Sequence, residues 1–346
     1  MRESIFFASI RSLFVALFGV IGLSLGVILF IGILDALITK EEGNPDIAHT
    51  YSPEILPNAS GIRKSLSKSA PVILQLNING AIGADNLNRH TVERQLIESR
   101  ERSLKDNRVK AILLNIDSPG GTVIDADGIY QAIKAYKTKF KVPVYAYIDG
   151  LCASGGMYVA VAADKIFASD VSLIGSIGVL SPAFPNVSQL MDKIGVQALT
   201  ISAGKGKDEL NPTRPWTATE GDSIKAIIDY YYKQFVNHVV ENRPNLDKTK
   251  LIEEYGANIY PAEQAQEYGY IDEGKSSYNE TLRLLAKKIG IEDDYYQVIQ
   301  LESKNWLSEI FKSENKLLKG EVSHRIELTS ELHPQLSNQF LYLYRP

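Results

Sequence analysis

Val109-Lys-Ala-Ile-Leu-Leu-Asn-Ile116 runs straight into Asp117-Ser-Pro-Gly-Gly121. An apolar run this short, closed by a Pro-Gly turn, suits a buried strand better than a helix, which takes about ten residues or more. Upstream, Val72-Ile-Leu-Gln-Leu-Asn-Ile78 has the same character and is closed by Asn79-Gly80. Between the two, residues 87–105 are polar with Val92, Leu96 and Leu104 interspersed, which predicts a surface helix. Downstream, Ile124, Ile129, Ile133 and Tyr136 mark a second helix, and Val142 to Ile148 reads as a third strand. Alternating strands and helices predict an α/β fold with a parallel sheet.

The third strand leads into Gly150-Leu-Cys-Ala-Ser-Gly-Gly156, and the small residues from Ser154 to Ala163 fit a closely packed buried helix. A helix starting there presents free N–H groups and partial positive charge where negative charge develops. Ser154 is therefore a candidate nucleophile, although a serine before two glycines also fits a plain N-cap. Gly120-Gly121 can turn an amide toward a substrate carbonyl, or can simply form a tight strand-to-helix turn after Pro119. A serine hydroxyl needs a base, and Ser202-Ala-Gly-Lys-Gly-Lys-Asp208 offers Lys205 and Lys207. In a polar loop such lysines are normally solvated and charged. To act as a base, one must fall from about 10.4 to roughly 7–8, which requires burial by protein or by a partner subunit. Ser176, in Gly175-Ser-Ile-Gly178, is either a turn residue or a hydroxyl that orients that amine.

Other chemistries fit less well. His49, His90, His238, His324 and His333 are all remote from Ser154 in sequence, and no Gly-x-Ser-x-Gly elbow surrounds it, which disfavours a Ser-His-Asp hydrolase. The lone Cys152 excludes an internal disulfide and a cysteine-built zinc site and reads as a small buried residue; no metal or cofactor is expected. With a net charge of −4 and no basic run, nucleic acid is not an expected partner.

Residues 12–34 carry no charge. As a helix they would reach about 35 Å, enough to span a bilayer core of roughly 30 Å. Too long for the apolar region of a signal peptide and not followed by an Ala-x-Ala site, the segment predicts a retained transmembrane anchor. Arg2 and Arg11 before it, and Asp35, Lys40, Glu41 and Glu42 after it, place the N-terminus in the cytoplasm and the rest of the chain outside. The expected organisation is a stub and anchor over 1–40, a Pro-, Ser- and Asn-containing linker over 41–70, a globular domain over 71–275 and an extension over 276–346. An apolar stripe, Ile224, Ile227, Ile228, Tyr231, Phe235 and Val239, predicts a long helix packed on a core or a partner. The extension holds a predicted helix from Tyr278 to Ile289. It ends in Phe340-Leu-Tyr-Leu-Tyr344, which either packs as a strand or adds along a peptide groove.

The ordered set Asp117-Ser-Pro-Gly-Gly121, Ala153-Ser-Gly-Gly156, Ala162-Ala-Asp-Lys-Ile-Phe167, Gly175-Ser-Ile-Gly-Val179, Lys207-Asp208 before Asn211-Pro212, Gly256-Ala-Asn-Ile-Tyr260 and Gly269-Tyr-Ile-Asp272 resembles the signal peptide peptidase A type of membrane serine protease. The resemblance covers residues 71–275. It implies a Clp-protease/crotonase-like fold of stacked parallel β-α repeats and a Ser-Lys dyad: Ser154 as nucleophile, Lys207 as base and Ser176 as orienting hydroxyl. Gly121 and Gly155 would be the oxyanion donors. Lys205 competes with Lys207, which better fits the family's lysine before Asp and a nearby Pro. A homo-oligomeric ring is also implied, with Ser and Lys of one site coming from adjoining subunits, acting on signal-peptide remnants and other unfolded membrane or secreted polypeptides at small or apolar residues. A crotonase-like acyl-CoA enzyme or an inactive membrane scaffold are the other possibilities.

Overall fold

The computed structural model describes residues 5–38, 50–84, 87–291, 293–303 and 340–344. The chain divides into two units, residues 1–49 and 50–346. In the first, α1 (Ile5–Ile38) contains the uncharged stretch Leu13–Ile31, long and apolar enough to cross a membrane.

The second unit is built on an eight-stranded sheet. Its centre is parallel: β2 (Val72–Asn79) pairs with β3 (Val109–Ser118), and β3 with β5 (Val144–Ala153). Connections run through α2 (Arg89–Glu98) and α3 (Val123–Phe140), as the strand-helix alternation predicts. The short strand β4 (Gly120–Thr122) lies between β3 and α3. Beyond β5 come α4 (Gly155–Ala160), β6 (Lys165–Ala168) and β7 (Leu173–Gly175). Both β6 and β7 pair with β5. After β7 follow α5 (Ser188–Ile194), α6 (Asp222–Asn242) and α7 (Lys248–Lys250), the last running into a π-helical turn through Tyr255. Then β8 (Ile259–Pro261) closes the edge beside β7, followed by α8 (Ala262–Glu267) and α9 (Tyr278–Lys288).

The central strands are largely apolar because both faces of the sheet are buried. Leu74, Leu76 and Ile78 of β2 and Ile112, Leu114 and Ile116 of β3 join α2, α3 and α4 in one core. Ile73, Ala111 and Leu113 turn to the opposite face, where Leu282, Leu285 and Ala286 of α9 cover them.

Two segments differ from the sequence expectation. Residues 51–56, expected within a linker, form β1 (Tyr51–Leu56), antiparallel to β9 (Gln297–Ser303), which in turn pairs with β2. The unit thus reaches beyond 71–275 on both sides. β1 contains Pro53, which is tolerated because proline fits an edge strand and β1 is the edge. In α6 only Phe235 and Val239 of the predicted stripe are fully buried, joined by Val236; Ile224, Ile228 and Tyr231 are half-buried and Ile227 is exposed.

Candidate active site

The turn after β3, the start of α4 and the turn after β7 converge. In the first, the Ser118 hydroxyl donates to the Gly80 carbonyl (2.7 Å) and accepts the Gly120 amide (3.1 Å), holding Gly120 at φ +95°. One edge of β4 is taken by Ile82, whose amide donates to the Gly120 carbonyl (2.8 Å) and whose carbonyl accepts the Thr122 amide (3.0 Å). Alternation along a strand then turns the Gly121 amide and carbonyl to the opposite edge. Only glycine fits there, since a Cβ on Gly121 would lie 1.8 Å from the Ile82 carbonyl oxygen.

Ser154 is buried and immediately precedes α4, with φ 54° and ψ −115°. A positive φ in a non-glycine residue costs on the order of 1–3 kcal/mol and clusters at functional sites. Its hydroxyl makes no capping bond, so the plain N-cap reading does not hold. The Ser154 amide donates to the Gly175 carbonyl (2.9 Å), fastening the serine to the turn after β7. Ser176 follows, buried, at φ 55°, its amide bonded to the Asn258 carbonyl (2.7 Å). On the other side, a Cβ built on Gly155 would stand 3.1 Å from the Gly121 nitrogen. Ser154, Ser176, Gly121 and Gly155 are therefore brought into one place.

Lys207 is placed otherwise. It and Lys205 are exposed, on the long excursion between β7 and α6, beside a groove of about 750 Å³ that also includes Ser202, Asp208 and Ser223. Among the described residues no hydrogen bond joins either lysine to Ser154 or Ser176. What holds this loop is Arg214, which bonds Asp208 Oδ2 through Nε (2.6 Å) and Glu220 through both terminal nitrogens (3.0 Å each). The Arg214 hydrogen bonds, helped by Asn211 at Asp208 and by the Leu210 amide at Glu220, hold both carboxyls below their usual range. Glu220 is brought down to about 2.

His238 lies close to α4, but its Nε2 is engaged with the Tyr158 carbonyl (3.2 Å), and burial pushes its pKa down. No described histidine bonds Ser154. Cys152 is fully buried, and burial pushes its thiol pKa up.

The free edge of β4 is occupied by the chain itself. β10 (Leu341–Leu343) lies antiparallel to it, with Tyr342 opposite Gly121. The Val123 amide donates to the Phe340 carbonyl (3.1 Å) and the Tyr344 amide to the Pro119 carbonyl (2.7 Å). Hydrogen-bonded pairs recur every second residue, so Tyr342 and Gly121 form the pair between them, with the Gly121 amide donating to the Tyr342 carbonyl. On its other edge, Leu341 exchanges both backbone bonds with Leu180 (2.9 and 3.0 Å). Ser118, Ile82 and Leu180 are site-building residues that sequence reasoning missed. Ser118 sits inside the Asp-Ser-Pro-Gly-Gly motif and was open to discovery, whereas Ile82 and Leu180 act through backbone atoms that leave no trace in residue type.

Known proteins bear on this arrangement. The model of the Clp protease family matches residues 76–172, from the second half of β2 through β6 and including the Gly-Gly turn, so the α/β fold is of the expected Clp-protease kind. A putative protease of Synechocystis is 30% identical over 278 residues, covering 79% of this chain and 96% of that protein. A putative signal peptide peptidase SppA of Enterococcus faecium is 33% identical over 206 residues, covering 58% of this chain and 59% of that protein. A putative protease of Methanocaldococcus jannaschii is 38% identical over 169 residues, covering 49% and 53%. The chain thus spans little more than half the length of the last two. The model of peptidase family S49 matches residues 136–294, which carry Ser154, Ser176 and Lys207, and the 278-residue match to the Synechocystis protease, which covers 96% of that protein, reaches beyond this span; the chain belongs to peptidase family S49.

Proposed function

We propose that this chain is a membrane-anchored serine endopeptidase in which Ser154 Oγ attacks the substrate carbonyl and Lys207 takes its proton. The observation that carries the reading is Ser154 itself: buried, strained and uncapped, beside the Gly121 amide and the start of α4. The Gly121 and Gly155 amides stabilise the oxyanion, a contribution of about 10²–10³ in rate per donor. Ser176 orients the lysine amine. The lysine then returns the proton to the leaving amine, and water hydrolyses the acyl-enzyme.

A lysine as exposed as Lys207 stays charged, so the mechanism requires it to be covered. The excursion that bears it also exposes Leu190, Ile194, Leu199 and Ile201, an apolar surface suited to a second copy. In a homo-oligomeric ring, Lys207 of one subunit would be desolvated against Ser154 of its neighbour. With α1 as a single-pass anchor, the catalytic unit is proposed to lie on the extracytoplasmic side. Its substrates would be remnant signal peptides and other unfolded polypeptides, in keeping with the name of the Enterococcus relative.

The test is hydrolysis of casein or a fluorogenic peptide by the full chain in detergent. Ser154→Ala and Lys207→Ala are each expected to lose about 10⁴-fold or more, and Lys205→Ala little. Full activity in Ser154→Ala would overturn the mechanism, and a selective loss in Lys205→Ala would reassign the base.

A further inference from the structure

Where β5 and β6 begin and α3 and α9 end, the second unit holds a cavity of about 530 Å³, within the size range of small-molecule sites. β5 runs ten residues from Val144 to Ala153, so the cavity lies about 30 Å from the serine that follows the strand. Val142, Pro143 and the Tyr145 ring supply an apolar floor, and Lys137, Lys141, Lys165 and Lys288 stand around it. Asp164 is the one carboxylate among the described lining residues, and it is fully engaged: Oδ1 pairs with Lys137 (2.5 Å) and Oδ2 accepts the Val144 amide (2.9 Å). Lys165 pairs with Asp272 (2.7 Å), a carboxylate that Arg243 also neutralises (2.8 Å). Lys141 and Lys288 have no acidic partner among the described residues.

Lysines at the ends of α3 and α9 answer the helix dipoles, which place about half a negative charge at each end. Four ammonium groups set against one carboxylate and two such ends still leave an excess of about two positive charges. Lys141 holds φ 52° and ψ 42°, the left-handed turn after a helix that glycine or asparagine normally takes. Tyr145 is only 9% exposed, yet its hydroxyl makes no hydrogen bond among the described residues. Burial, and then the Asp164 charge, push that phenol's pKa up, so it stays a donor at neutral pH.

We infer that this cavity is a binding site for a phosphate monoester, separate from the peptidase site and independent of that reading. A monoester carries about −1.5 to −2 near neutral pH, which matches the excess. Its tetrahedral oxygens accept donors from several directions at once, as convergent ammonium groups and a phenol supply them. Among the described lining residues there is no guanidinium fork of the kind that grips a planar carboxylate. The body of the ester rests on Val142 and Pro143, while the Tyr145 hydroxyl donates to a phosphate oxygen.

The test titrates phenyl phosphate, glycerol 3-phosphate and phenyl sulfate into the full chain in detergent, by calorimetry at neutral pH and equal ionic strength. Phenyl sulfate has the shape of phenyl phosphate with less charge, and is expected to bind about tenfold more weakly. Phenyl phosphate binding tighter than glycerol 3-phosphate assigns the site to a soluble ester with an apolar body, and the reverse order to a lipid headgroup. Lys141→Gly removes one ammonium group and relieves the left-handed φ. It should melt at least as high as the unaltered chain while binding the preferred ester about tenfold more weakly. Adding Lys288→Gln should cost about tenfold again, and Tyr145→Phe alone about threefold. No saturable binding of either ester, equal binding of phenyl sulfate and phenyl phosphate, or an affinity that survives the double change overturns the site.

Discussion

At Gly121 a single hydrogen atom stands where any other residue would collide with the Ile82 carbonyl 1.8 Å away. Gly121→Ala must push β4 off Ile82 and with it the amide proposed to meet the substrate carbonyl. The expected outcome is a loss of about 10²–10³ in kcat with little change in KM, measured on the reporter peptide. At Ser154 the positive φ has the opposite consequence, because removing the β-carbon relieves it: Ser154→Gly should be inactive yet at least as stable as Ser154→Ala in thermal melts. Ser154, Gly121 and Ser176 were legible in sequence as members of short motifs rich in glycine, where backbone demands restrict residue type. Gly269-Tyr-Ile-Asp272, from the same set, lies elsewhere and has structural work: Asp272 accepts the Ile166 amide (2.9 Å) and pairs with Arg243 (2.8 Å) and Lys165 (2.7 Å).

Among the elements, the loop carrying Lys207 depends on charge rather than on a core. Glu220, ordinarily near 4.5, is lowered to about 2 by Arg214, so its contribution is complete above pH 4.5 and is lost as pH falls toward 2. Amide protection across residues 202–223, taken relative to the intrinsic exchange rate at each pH, should therefore fall as pH drops through that window. Arg214→Gln should make exchange fast already at neutral pH and lower activity by displacing Lys207, while leaving the exchange of β2 and β3 unchanged. Against this, α9 is held by packing. Leu285→Ala is expected to cost about 2–5 kcal/mol in denaturant unfolding, since it opens a void against the face formed by Leu113 and Ile73. The central strands were readable because burial on both faces makes them largely apolar, and the long helices because their apolar residues recur at spacings of three and four. β1 and β10 were harder to place, because a few residues at a sheet edge draw their stability from partners distant in sequence.

For the molecule as a whole, the exposed lysine and the exposed apolar face of the same excursion make a joint prediction. If each site takes Ser154 from one copy and Lys207 from the next, inactive Ser154→Ala and Lys207→Ala chains will regain activity when co-assembled. Random pairing in equal amounts leaves about a quarter of the sites intact. No recovery on mixing, with co-assembly verified by crosslinking, would place both groups in one subunit. The proposed division of the site was legible as an implication of the family resemblance and as a physical requirement for covering the lysine, not from any residue pattern of the single chain.

The groove between β4 and Leu180 reads a peptide from both sides at once. Phe340, Tyr342 and Tyr344 turn their backbone groups to β4, and Leu341 turns its own to Leu180. Capturing N–H groups at successive residues on opposite walls makes the slot a ruler of backbone phase. A peptide N-methylated at one position would lose its grip on one wall and at the next position on the other, so an N-methyl scan should show a two-residue rhythm whose phase reports which residues face β4 and which face Leu180.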